Sequence, residues 1–187
     1  EGTFRRPKAA PGTYTLELEV SDETLTTECV ILPNPLYGVT DADYQVYHEF
    51  MSKVEQEFNI MHQMVNDMLK LQNKLRGIIA DLDKKAHRDL KQEAEALADR
   101  MQAWDEEMVQ RKSKAYDDVE NFPNKFTANY LFAINHAESA IPRVNQPTRD
   151  RIDELNTQWA ALKKEGEAIL NDAVPAVNEK LWKAGIG

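Results

Sequence analysis

The residue types that carry chemistry are all present in this chain, but not at the spacings that chemistry needs. Four histidines occur, His48, His62, His87 and His136. None has Glu three residues before it, so the Glu-x-x-His pairs of carboxylate-bridged di-iron bundles are missing. The His-Glu-x-x-His pattern of zinc helices is missing too. His48 and His62 fall on one predicted helix about four turns apart, too far to share a metal ion. No Gly-x-Ser-x-Gly elbow, phosphate loop or Gly-x-Gly-x-x-Gly occurs, and the only two-glycine cluster is Gly185 and Gly187. Cys29 is the only cysteine, which excludes an internal disulfide and a cysteine zinc cluster. Paired carboxylates for sugar hydrolysis must face one another across a cleft at about 5 to 9.5 Å. The acids here fall on the exterior faces of predicted helices. The expectation is therefore a protein with no catalytic residues, no metal and no cofactor.

Two further groups suit contact rather than catalysis. All six methionines, Met51, Met61, Met64, Met68, Met101 and Met108, lie in the first two predicted helices. Methionine-rich faces can form adaptable grooves, but most of these positions fall on the apolar stripes and read as core. Among the aromatic residues, Trp104 and Trp159 sit on stripes, whereas Phe132 and Trp182 lie off them. Those two are candidates for an exposed contact surface.

The elements that position these residues change period near Thr40. Before it, Thr13 to Val20 alternates, with Tyr14, Leu16, Leu18 and Val20 on one face and Thr and Glu on the other, the pattern of a half-buried strand. Ser21-Asp22-Glu23 is turn material, and Thr24 to Leu32 reads as a second strand, so the pair forms an antiparallel hairpin. Cys29 sits in that second strand as a small hydrophobe. Two strands alone are marginal in water. The hairpin is expected to have lost the sheet it was made for, and its bare face, Tyr14, Leu16, Leu18 and Val20, is the principal candidate interaction surface. A homodimer or strand exchange through residues 13–32 follows from that reading.

After Thr40 the period is that of long helix. Pro33-Asn34-Pro35-Leu36-Tyr37-Gly38 makes a stiff connector, and Thr40 with Asp43 three residues on has the form of a capping box. The stripe then runs Tyr44, Tyr47, Met51, Val54, Phe58, Met61, Val65, Met68, Leu75, Ile79 and Leu82, broken once at Gln72. This predicts a helix of about 40 residues and some 60 Å. A flanking row at Phe50, Met64, Leu71 and Ile78 widens the stripe enough to touch two neighbours. A second stripe starts at Leu90 and runs through Ala94, Leu97, Met101, Trp104 and Met108, continuing more weakly to Ala115 and Val119 before Phe122-Pro123-Asn124 breaks it. A shorter helix carries Phe126, Tyr130, Leu131 and Ile134. The last long helix is expected to be capped by Thr148 and to carry Ile152, Leu155, Trp159, Leu162, Ile169, Ala173, Val177 and Leu181. Pro175 inside that stripe should kink or split it near Asn171 to Val174. The fold class is thus mainly α: an antiparallel up-down helical bundle of three long helices and one short, with an N-terminal β-hairpin. Residues 1–38 form the hairpin and connector, and residues 39–187 the bundle.

Composition bounds the partners. The chain carries 23 Lys and Arg against 32 Asp and Glu, a net charge of −9. Residues 1–40 hold 3 basic and 6 acidic side chains, which leaves 20 and 26 for residues 41–187. This balance argues against nucleic acid and anionic membranes, where binding rests on neutralising phosphate. No apolar run is long enough to span a bilayer. The sequence starts without Met or a signal peptide, so any export would be directed by residues not present in it.

Ala10-Pro11-Gly12-Thr13-Tyr14-Thr15 with the second strand, the Asn34-Pro35 step, the long helix, Asn129-Tyr130-Leu131, the Pro147-Thr148 helix start and Val177-Asn178-Glu179-Lys180-Leu181 together carry a resemblance. The chain resembles the C-terminal region of large bacterial secreted proteins with sortilin-like, neuraminidase-repeat β-propellers, often labelled glycosyl hydrolases. In that family a propeller is followed by an immunoglobulin-like or fibronectin-like β-module and a helical tail. The resemblance implies that residues 13–32 are the last two strands of the β-module. It also implies a secreted, periplasmic or cell-surface location, and partners in the upstream propeller and β-sandwich of the same parent protein. No propeller blade is present in the chain, so no propeller residue is assigned. The expected function is a non-catalytic accessory module that packs against or positions the body of the parent. The alternatives are an autonomous, spectrin-like protein-binding bundle and a glycan-acting enzyme.

Overall fold

The computed structural model describes residues 9–83, 85–139 and 142–186, with the backbone alone of Tyr116 and Val119. The order of elements is β1 (Gly12–Val20), β2 (Glu23–Ile31), α1 (Asp41–Asp81), α2 (Arg88–Met108), α3 (Phe126–Ser139), α4 (Gln146–Ala168) and α5 (Val174–Lys183), with a turn of 3-10 helix at Tyr116–Glu120. Mainly helical architecture with an N-terminal hairpin is therefore what the chain adopts.

The helices make three layers. α1 begins at the expected capping box: the Thr40 hydroxyl accepts from the Asp43 N–H while the Asp43 carboxylate accepts from the Thr40 N–H. Its stripe is buried as predicted, with Met51, Met61 and Met68 at or near zero exposure and Ile79 only half-buried. Gln72, the one polar member of the stripe, is buried and donates to the Ala98 carbonyl in α2. α2 runs back along the C-terminal half of α1. At that turn Lys91 of α2 donates to the carbonyls of Ile79 and Leu82, supplying the cation that the last turn of α1 lacks.

α3 continues in the direction of α2 along the N-terminal half of α1, where Phe58 and Tyr130 stack with ring centroids 6.0 Å apart. α2 and α3 together thus trace one broken descending layer. α4 and α5 return beside α1 and parallel to it: Arg149 lies over the Phe50 ring, Trp159 meets Glu57, and a Cβ built on Gly166 would press on Met64 and Trp104. The flanking row of α1 serves this second neighbour. All six methionines are buried, as core.

Three boundaries differ from the sequence reading. α2 stops at Met108 instead of running on through Ala115, and the expectation at Val119 lies outside the described side chains. The chain turns there because Arg111 folds back to give a two-pronged ion pair to buried Asp105 at 2.7 and 2.9 Å, and the Thr127 hydroxyl takes the Met108 carbonyl. The cap of α4 is Asn145, whose side chain accepts from the Thr148 N–H, so Thr148 is the capped residue and Pro147 lies in the first turn. The expected disturbance before Pro175 takes the form of a π-helical turn at Ile169–Ala173, closed by the Val174 N–H on the Ile169 carbonyl. Widening the turn accommodates a residue without an N–H while the helix axis carries on into α5.

β1 and β2 pair antiparallel from Gly12 opposite Ile31 to Val20 opposite Glu23, joined by Ser21 and Asp22. Ser21 has φ 55°, the left-handed conformation that a two-residue hairpin loop demands of its first residue. Among the described residues the hairpin makes no extended contact with any helix, and its base, at Pro11 and Tyr14, comes up to the start of α1.

Candidate interaction surface

In an antiparallel ladder directly opposite residues share a face. The register therefore places Tyr14, Leu16, Leu18, Val20, Leu25, Cys29 and Ile31 together on one side, with Thr27 and Glu23, and Thr13, Thr15, Glu17, Glu19, Thr24, Thr26, Glu28 and Val30 on the other. Leu16, Leu18, Val20 and Leu25 are each more than half exposed. Among the described residues nothing in the bundle covers them. At about 3.4 Å per residue and 4.8 Å between strands, the bare face measures roughly 30 by 10 Å. Leu32, Leu36 and Tyr37 extend exposed apolar surface into the connector.

The sequence named Tyr14, Leu16, Leu18 and Val20 for this face. Tyr14 is half-buried, with its hydroxyl donating to the Ala10 carbonyl, and it lines an open hollow with Ala10, Pro11, Asp41, Tyr44, Gln45 and His48. Sequence reasoning missed Leu25, Cys29 and Ile31, whose side follows from the register and not from β2 alone, where Thr-Leu-Thr-Thr-Glu-Cys alternates poorly. Phe132 and Trp182 are 65% and 77% exposed. They do not join the hairpin or each other. Phe132 projects from α3 beside the N-terminal half of α1, its ring edge-on to His136, whereas Trp182 lies at the far end of the bundle, where Lys180 of α5 pairs with Glu93 of α2.

The remaining polar chemistry ties helices together. Glu57 accepts from the Trp159 indole N–H at 2.7 Å and from the Lys163 ammonium at 3.3 Å. The Tyr130 hydroxyl donates to Asn156 at 2.8 Å. Burial raises the Tyr130 phenol above its ordinary pKa, assisted by the Glu57 charge, and burial with the charges of Glu138 and Glu55 raises Tyr47 to about 12. The histidines sit apart: His62 is exposed on Phe58, His87 precedes α2, and His48 stands edge-on to Tyr47. Among the described residues no group of three or more His, Cys, Asp or Glu is placed to hold a metal, and no helix is long and apolar enough to cross a membrane. No family model, curated protein or solved structure matches the chain.

Proposed function

We propose that the chain is a non-catalytic accessory module of a larger secreted protein, in which the hairpin completes a β-module and the helical bundle packs against or positions a propeller body. The observation that carries this reading is the hairpin itself: two nine-residue strands with one apolar face, set off from a bundle that satisfies its own core. An isolated hairpin gains too little from its own contacts to be worth keeping as an independent unit. The upstream β-sandwich and propeller are its partners on this reading, the location is secreted, periplasmic or cell-surface, and the hairpin face self-associates through residues 13–32 when nothing else covers it.

Amide hydrogen exchange of residues 1–187 tests this. In protein dilute enough to be monomeric, the helices should protect their amides strongly while those of residues 12–31 exchange close to the unprotected rate. Hairpin amides as protected as the core of α1 would overturn the reading. A second reading is a spectrin-like bundle that binds a separate chain, favoured by the up-down-up layering of α1, α2 with α3, and α4 with α5. Capture of a partner by residues 39–187 as well as by the whole chain would select it.

A further inference from the structure

We infer that a hollow on the side of the bundle takes the C-terminal end of a peptide: its free carboxylate, its last backbone N–H and an apolar last side chain. The hollow lies on the helices, away from the hairpin, and the inference stands whether or not the chain is an accessory module. It measures about 370 Å³, opens between α1 and the π-helical turn, and is lined by Asp67, Lys70, Leu71, Lys74, Leu170 and Asn171. That volume suits a small ligand. Each of the three ligand groups answers a separate feature of the wall.

The π-helical turn supplies acceptors. In an unbroken helix the Leu170 carbonyl would take the Val174 N–H, and the Asn171 carbonyl would take the N–H of the residue at 175. Here the Val174 N–H goes to the Ile169 carbonyl, and Pro175 has no N–H to give. Both carbonyls lose their ordinary donor, and the next position along from Leu170 is again Pro175. Broken helices elsewhere bind ligands through carbonyls freed in this way. α1 supplies the charge. Lys70 and Lys74 are exposed one turn apart, a like-charge pair that costs the helix stability. In a chain with 32 acids to 23 bases, neither forms an ion pair among the described residues. Asp67, the acid on the same wall, accepts from the Gln63 amide at 2.8 Å. Leu71 and Leu170, partly buried against the core, supply the apolar floor. A bare anion would leave the carbonyls unmet, and a bare cation would face two ammonium groups. A peptide end meets both and covers the leucines as well.

Amide NMR spectra of residues 1–187 test this with three probes: acetyl-alanyl-leucine, its C-terminal amide, and the ester analogue in which oxygen replaces the leucine N–H. The parent peptide should shift the amides of residues 67–74 and 169–174 and leave the hairpin unmoved. The amide lacks the charge that Lys70 and Lys74 meet, and the ester lacks the donor that the Leu170 and Asn171 carbonyls meet. Each should bind about tenfold or more weakly than the parent. Lys70→Gln with Lys74→Gln should bring the parent peptide down to the affinity of its amide, with the melting midpoint no lower than before. Equal affinity for the three probes, shifts confined to other parts of the chain, or no shift at millimolar peptide would overturn the inference.

Discussion

Asp43 and Arg143, a hundred residues apart, meet at 3.2 Å where α1 begins and the loop before α4 passes it. Asp43 is already committed to the capping box through Thr40, so one carboxylate closes the start of a helix and tethers a distant loop. The Arg143 guanidinium, followed by the Thr40 N–H and hydroxyl, holds its pKa down to about 2, from 3.8. A carboxylate whose folded pKa is depressed contributes stability above its unfolded pKa and loses it as pH falls toward the folded value. Asp83 and Asp118 are shifted in the same direction by backbone N–H groups that they accept from. The melting midpoint should therefore hold steady from pH 7 to 5 and fall between about pH 4 and 2. Asp43→Asn should melt lower at pH 7 and show a shallower acid limb. An unchanged midpoint at neutral pH would show that the tether and cap contribute nothing.

Glu57 gives the second prediction. Trp159 is almost wholly buried, and its indole N–H has the Glu57 carboxylate as partner. Glu57→Leu strands that donor and loosens Lys163, which should cost about 1–3 kcal/mol in chemical denaturation, the penalty of an unsatisfied buried group. Glu57→Gln keeps an acceptor and should cost less. Equal losses in the two variants would mean that packing, not the hydrogen bond, matters at this position.

What could be read from the sequence followed the strength of the periodic signal. The stripe from Tyr44 to Leu82 and the Thr40 cap were legible because a long amphipathic helix repeats its evidence every turn. The end of α2 was not, since Ala115 keeps helical spacing and the stop at Met108 depends on Arg111 reaching back to Asp105 and on Thr127 arriving from α3. Those contacts exist only once the chain is folded. Asn145 was overlooked for Thr148 because both are good caps, and the choice between them rests on where Pro147 sits in the first turn. For the candidate surface, the β1 alternation revealed half the face. The other half, Leu25, Cys29 and Ile31, needed the register. That Phe132 and Trp182 stand at opposite ends of the bundle follows from layering alone and has no local signature.

At Gly166 α4 lies tight against its neighbours, because a methyl group there would press on Met64 and on the Trp104 ring. Helix propensity favours alanine over glycine by about 1 kcal/mol, while overpacking a filled core costs about 1–3 kcal/mol. The crowding should win, because Trp104 is pinned by its N–H to the Leu162 carbonyl at 2.8 Å and cannot retreat. Gly166→Ala is expected to lower stability by roughly 1 kcal/mol. Adding Met64→Ala, which opens space on the other side, should make the double variant more stable than the sum of the two changes predicts. Strict additivity would place the strain elsewhere.

The hairpin supplies the last prediction, because it has no core in common with the helices and its self-association must work against its own charge. Removing residues 1–38 should leave the helical melting midpoint within a degree or two, as the strands share no core with α1 to α5. Self-association of residues 1–187, followed by light scattering, brings together two hairpins that hold five carboxylates each and no cation. Screening shortens from about 10 Å at 0.1 M ionic strength to about 3 Å at 1 M, so added salt relieves that repulsion and should strengthen the dimer. Residues 39–187 should stay monomeric throughout. A dimer of that shorter chain would move the association surface onto the bundle, with exposed Phe132 and Trp182 the first positions to substitute. A dimer of the full chain that dissociates as salt rises would mean that attraction between unlike charges drives self-pairing, which two hairpins holding only carboxylates cannot supply.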